Sequence, residues 1–191
     1  MRVGVLALQG DFREHIAVLE SLGAEIVEVR LPEHLDGIQA LVFPGGESTT
    51  IGLLAERYGL VEPLRDAIAD GLPVLGTCAG MIFLAAGTTE SRPQVLLGVL
   101  DVIVQRNAFG RQDMSFEVDL TVTGVDGPVR AVFIRAPWIE KYGDAVEVLA
   151  TVDDHPVMVR QANILATSFH PEVAGETRVH EMLIGLAQDR K

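Results

Sequence analysis

Two places in this chain carry residues suited to covalent chemistry: its only cysteine, Cys78, and the triplet His170-Pro171-Glu172. Cys78 stands in Gly76-Thr77-Cys78-Ala79-Gly80, after a short apolar run and before a longer one, which reads as strand, sharp turn and helix. A nucleophile on such a turn is held in a strained conformation, and glycines at positions 76 and 80 let neighbouring backbone pass closely. The helix that starts at Ala79 directs free N–H groups at the sulfur, where they favour negative charge on it or on an oxyanion beside it. A cysteine nucleophile needs a base, and the base needs an acceptor to orient it. Pro171 pushes His170 toward extended backbone, and extended backbone places alternate side chains on one side, so His170 and Glu172 face the same way. An arbitrary cysteine reads more readily as a small buried hydrophobe, a balance that the flanking glycines and the strand-to-helix switch reverse, and a His-x-Glu pair taken alone is usually solvated loop. Their occurrence together favours nucleophile, base and carboxylate. His15, His34, His155 and His180 have no such setting, lack metal-ligand spacing, and read as surface or structural.

Pro44-Gly45-Gly46-Glu47-Ser48 ends one apolar run and opens a helical pattern, so its N–H groups can form an anion nest. It lacks the Gly-Lys-Ser/Thr ending of a nucleotide phosphate loop. Two readings remain from the residues themselves: an oxyanion donor at Gly46 facing Cys78, or a tight turn capped by Ser48.

The elements that must position these groups follow an α/β alternation. Residues 2–8 form a near-continuous apolar strand, followed by a Gln9-Gly10 turn and a helix with Phe12, Ile16, Leu19 and Leu22 on one face. Strands are expected at 24–30 and 37–43, helices at 49–58 and 61–70, and the elbow strand opens at Pro73. Beyond Gly87 the pattern turns to strands, at 96–104, 116–122, 129–134, 146–152 and 157–160, where antiparallel pairing enters the sheet. A last strand over 164–169 leads into His170, and 176–188 closes the chain as a helix. In a parallel sheet the ends of the elbow strand and of this last strand share the carboxyl edge. The expected fold class is α/β, a three-layer open, mostly parallel sheet with added antiparallel strands and flanking helices, as one domain over residues 1–191.

The chain's 191 residues, 48% hydrophobic and 22% charged, suit a single core of ordinary composition. One cysteine excludes an internal disulfide or a cysteine-based zinc cluster and suits a reducing compartment. No apolar run is long enough for a membrane span or a signal-peptide core, so the expected location is cytoplasmic with no membrane partner. A formal net charge of −12 without any Lys/Arg cluster argues against nucleic acid and for a small-molecule substrate.

Together the G-x-C-x-G elbow, the upstream P-G-G loop and H-P-E resemble the class I, triad-type glutamine amidotransferases. The order Cys, His, Glu separates this pattern from α/β-hydrolases, whose acid precedes the histidine. Six segments narrow the resemblance to the glutaminase subunit of the two-protein pyridoxal phosphate synthase. They are Leu6-Ala7-Leu8-Gln9-Gly10, residues 44–50, Gly76-Thr77-Cys78-Ala79-Gly80-Met81-Ile82, residues 105–112, Phe133-Ile134-Arg135-Ala136-Pro137 and Phe169-His170-Pro171-Glu172. Ile82 agrees with this subfamily, since many other triad amidotransferases carry Gln at that position.

The resemblance implies hydrolysis of L-glutamine to glutamate and ammonia by Cys78, His170 and Glu172. Gly46 and Ala79 would supply oxyanion donors, and Gly46, Glu47, Ser48, Arg106, Ile134 and Arg135 would hold glutamine. A basic residue suits the α-carboxylate and Glu47 the α-ammonium. It implies no cofactor and no metal, and a hetero-oligomer with a synthase subunit that receives the ammonia. A related cysteine peptidase would usually carry His where Ala79 stands. A non-catalytic binding module with this fold would be expected to have lost part of the triad.

Overall fold

The computed structural model describes residues 1–91, 93–106, 108 and 115–189. Asn107 and residues 109–112 of the 105–112 segment lie outside the described residues.

In chain order the first elements are β1 (Arg2–Leu6), α1 (Phe12–Ser21), β2 (Glu25–Val29), a short 3-10 turn (Pro32–Leu35), β3 (Ala40–Phe43), α2 (Ser48–Arg57) and α3 (Val61–Ala69). There follow β4 (Val74–Thr77), α4 (Ala79–Leu84), β5 (Ala85–Thr88), β6 (Leu100–Gln105) and β7 (Ser115–Thr121). The chain continues with β8 (Pro128–Ile134), β9 (Trp138–Tyr142), β10 (Glu147–Val152), β11 (His155–Gln161), β12 (Ile164–Thr167) and α5 (Arg178–Asp189).

The central sheet has the order β10-β11-β12-β4-β3-β1-β2. Pairs from β12 through β2 are parallel, and β10 and β11 add an antiparallel edge. Because side chains alternate along a strand, β3 sends Ala40 and Val42 to one face and Leu41 and Phe43 to the other. Leu41 and Phe43 pack with Ile51 and Ala55 of α2, Leu64 of α3 and Phe83 of α4. Ala40 and Val42 pack with Leu19 of α1, Val179 and Leu183 of α5, and Phe133 of β8. Both faces are thus covered, which is why the inner strands read as continuous apolar runs. No helix among the described residues is long and apolar enough to cross a membrane.

The strand-rich part divides differently from expectation. Only β10 and β11 join the main sheet, whereas β5, β6 and β9 form a three-stranded sheet and β7 with β8 a two-stranded one. The elbow helix α4 is also brief. It stops at Leu84, and the chain leaves directly as β5, where Ala85 pairs with Leu100.

Candidate active site

The register of β4 on β12 places the elbow beside the histidine. Thr77 is opposite Thr167, and the Cys78 N–H continues the pairing by donating to the Thr167 carbonyl at 2.8 Å. Three residues beyond Thr167, the His170 N–H donates to Val132 O of β8 at 2.8 Å, so neighbouring elements anchor the backbones of both residues. Cys78 itself has φ 49° and ψ −103°, the left-handed φ that side chains rarely adopt. The turn closes only because α4 comes down onto β3: a Cβ on Gly80 would collide with the Phe43 carbonyl oxygen, and one on Gly76 would press on Leu84 and the Gly80 backbone.

His170 Nδ1 lies 2.7 Å from Glu172 Oε1, and both residues are buried. With Nδ1 donating to the carboxylate, Nε2 is left for the Cys78 sulfur. Burial opposes a charge on His170, but hydrogen bonds to Cys78 and Glu172 outweigh it and push its pKa up to about 10. Burial pushes the Glu172 carboxyl up, while His170 pulls it back. A second carboxylate approaches the same nitrogen, Asp11 Oδ2 at 3.8 Å, from the residue that precedes α1. No sequence signal placed Asp11 beside His170.

The loop after β3 rests on the turn after β1. The Asp11 N–H donates to Gly45 O at 3.1 Å, and the Glu47 N–H donates to Gln9 Oε1 at 2.7 Å. Gly46 has φ 145°, and a Cβ there would meet Gln9 Oε1 and the Gly10 backbone. The cap of α2 is Glu47 rather than Ser48. Its carboxylate accepts from the Thr49 and Thr50 N–H groups at 3.2 and 2.7 Å and from Thr50 Oγ1 at 2.7 Å. Burial works against ionisation here, yet these bonds hold its pKa at about 2. Ser48 Oγ instead donates to Gln94 Oε1 at 3.4 Å. Arg106, at the end of β6, bridges Glu47 at 3.3 Å and Glu90 at 3.4 Å. Arg135, just past β8, has φ 44°.

These residues surround one cavity of about 480 Å³, lined by Gly46, Glu47, Ser48, Cys78, Ala79, Arg106, Ile134, Arg135 and His170 together with Gln9, Gly10, Asp11, Ile82 and Pro137. Glu172 is absent from the wall, buried behind His170. The cavity opens where β1, β3, β4 and β12 end, the carboxyl edge at which α/β sheets bind small molecules. It offers a sulfur, an imidazole, backbone donors and charges of both signs.

Of the two readings, surface or structural, His15 and His180 take the structural one. Both are fully buried, with His15 Nδ1 2.9 Å from His180 Nε2 and His15 Nε2 3.1 Å from Thr77 Oγ1. Helical spacing held a signal for His15, which follows Phe12 by three residues and precedes Leu19 by four, on the buried face of α1.

The same architecture occurs in a solved glutamine amidotransferase, with a TM-score of 0.94, 53% sequence identity, and coverage of 97% of this chain and 98% of that one. The solved PurLQS of Thermotoga maritima shares the fold alone, with a TM-score of 0.71 at 19% identity over 96% of this chain and 97% of the matched one. The chain belongs to the SNO glutamine amidotransferase family, whose model matches residues 5–188. Among curated relatives, a Parafrankia protein named pyridoxal 5'-phosphate synthase subunit PdxT is 60% identical over 189 residues, covering 98% of this chain and 93% of its own. The Mycobacteroides abscessus protein of the same name is 56% identical, with 97% of each chain covered.

Proposed function

We propose that the chain is a glutaminase, one domain over residues 1–191, that works in the cytoplasm and delivers ammonia to the synthase subunit of a pyridoxal phosphate synthase. Family membership and the names of its relatives support this activity and partner. The observation that carries the site assignment is the buried His170, bound to Glu172 on one side and held in its charged form by the Cys78 sulfur beside it as well as by Glu172.

The Cys78 thiolate attacks the side-chain carbonyl carbon of glutamine, and the oxyanion rests on the N–H groups of Ala79 and Gly46. His170 gives its proton to the amide nitrogen, the C–N bond breaks, and ammonia leaves a thioester on Cys78. Water then attacks the thioester as His170 takes its proton, releasing glutamate and restoring the pair, while Glu172 stabilises the imidazolium throughout. Ser48, Ile134, Arg106 and Arg135 line the amino-acid end of the substrate. Glu47, anionic at any working pH and half-exposed at the cavity, suits the α-ammonium. No step calls on a metal or organic cofactor.

Ammonia release by the complex with the synthase subunit tests this reading. Cys78→Ala is expected to abolish glutamine hydrolysis and thioester formation with the fold intact, because one sulfur is a small part of the core. Retained turnover would overturn the assignment.

A further inference from the structure

Behind Glu172 lies a buried histidine for which the reaction above has no use. His15 Nε2 is 3.1 Å from Thr77 Oγ1 and 3.5 Å from Glu172 Oε1, and neither His15 nor the Glu172 side chain reaches solvent. Four groups face its ring: Thr77 from β4, Glu172 and His170 from the segment after β12, and His180 from α5. Burial, then His180 and His170, lower its pKa well below the usual histidine range, so the ring is neutral and carries a single N–H. Its position is set by what faces it. An ionised carboxylate only accepts, so a proton on the nitrogen toward Glu172 is favoured over a bare Nε2, which would set lone pair against anion. Nδ1 is then bare and needs a donor, which requires the proton of His180 to sit on Nε2, 2.9 Å away, and not to be held by the Glu176 carbonyl that also reaches that ring.

Resting on the assignment of Cys78, His170 and Glu172 as a triad, we infer that His15 is a positioning residue: its Nε2–H, bonded to Thr77 and 3.5 Å from Glu172 Oε1, steadies by its dipole the carboxylate that orients His170. Glu172 Oε1 takes the His170 bond, and Glu172 Oε2 has no hydrogen-bond partner among the described residues. Asp11, the other carboxylate beside His170, stands in the wall of the cavity and offers Glu172 no donor. The Nε2–H dipole acts on Oε1, the oxygen that also accepts from His170. Thr77, one residue before the nucleophile, ties the same nitrogen to the elbow, so a displacement of His15 reaches both ends of the triad.

Two substitutions separate this role from packing. The amide of His15→Gln reaches the place of Nε2 and keeps a donor toward Glu172, whereas the amide of His15→Asn reaches only the place of Nδ1 and keeps the bond to His180. In complexes with the synthase subunit, His15→Asn is expected to lower kcat about tenfold with KM within about twofold, the loss expected for one hydrogen bond in a positioned network. Its kcat–pH profile should also shift its acid limb to higher pH, because a carboxylate that has lost a donor protonates more readily. His15→Gln should recover most of the rate and restore the limb. Nitrogen NMR of the histidine-labelled wild-type chain reads the tautomer directly and needs no variant, and a proton on Nε2 of His15 is expected. Equal losses in the two variants, a wild-type rate and limb in His15→Asn, or a proton found on Nδ1 would each overturn the inference. A wild-type complex that releases no ammonia from glutamine would instead refute the glutaminase reading, with the tautomer still measured independently.

Discussion

Two imidazoles buried side by side make stability depend on pH in a definite direction. Burial holds His180 down at about 4, against about 6.5 for a solvated histidine. The unfolded chain therefore takes up a proton near pH 6.5 that the folded chain refuses until about pH 4. The stability associated with a neutral His180 is present above that window and is lost as pH falls through it. The fall amounts to up to about 1.4 kcal/mol per pH unit and about 3 kcal/mol in all. His15 acts in the same sense. His170 works in the opposite sense: its pKa is pushed up to about 10, so its stabilisation is full below about pH 6.5 and is lost only as pH rises toward 10. Urea unfolding at a series of pH values should show His180→Phe with a flatter acid-side decline than wild type, by about one proton. Parallel slopes in the two proteins would mean that His180 is already charged in the fold.

At the scale of elements, the elbow depends on how close α4 sits to β3. The Gly80 Cα faces the last carbonyl of β3, with no room for a methyl group. Gly80→Ala must lift α4 away from the strand, and overpacking of this kind costs about 1–3 kcal/mol. Because Cys78 is the residue on which that helix turns, thermal unfolding should move down together with a loss of thiol reactivity toward an alkylating probe. Unchanged reactivity with lowered stability would show that the elbow tolerates the shift. The glycines at 76 and 80, and the apolar runs around them, mark this element within a dozen residues of sequence, and the H-P-E triplet is equally local. The buried pairing of His15 with His180 was not legible because it joins positions 165 residues apart, and a histidine by itself reads as polar surface. β5 was missed because Ala85–Thr88 has neither alternation nor bulk, and β9 because Trp138–Tyr142 carries two charges in five residues. Pairing with β6, a tertiary effect, makes strands of both. The cap of α2 went to Glu47 instead of Ser48 because the longer carboxylate reaches two N–H groups and a hydroxyl at once.

At the scale of the whole molecule, the loop that carries the proposed oxyanion donor is held by the turn at the end of a different strand. Asp11 N–H fixes the Gly45 carbonyl and Gln9 Oε1 fixes the Glu47 N–H, so the Gly45–Gly46 peptide cannot turn without leaving the 9–11 turn. In a trans peptide, C=O and N–H point to opposite sides, so the side to which Asp11 draws the Gly45 carbonyl decides where the Gly46 N–H points. Glycine on both sides of that peptide makes its rotation sterically cheap, and one loop then has two hydrogen-bonded arrangements that a contact on residues 9–11 can bias. An uncoupled glutaminase would release ammonia with no acceptor at hand, and a donor completed only on docking would prevent this. Removing one oxyanion donor lowers kcat by about 10² to 10³. Glutamine hydrolysis by the free chain is therefore expected to run slower than in the complex by that factor, with the difference in kcat and little change in KM, since the donor acts on charge formed during the reaction. Steady-state ammonia release from the two, at matched concentrations of this chain, checks it. Equal kcat values would mean that the free chain already presents a complete oxyanion site, and that the 9–11 turn is a fixed support for the loop.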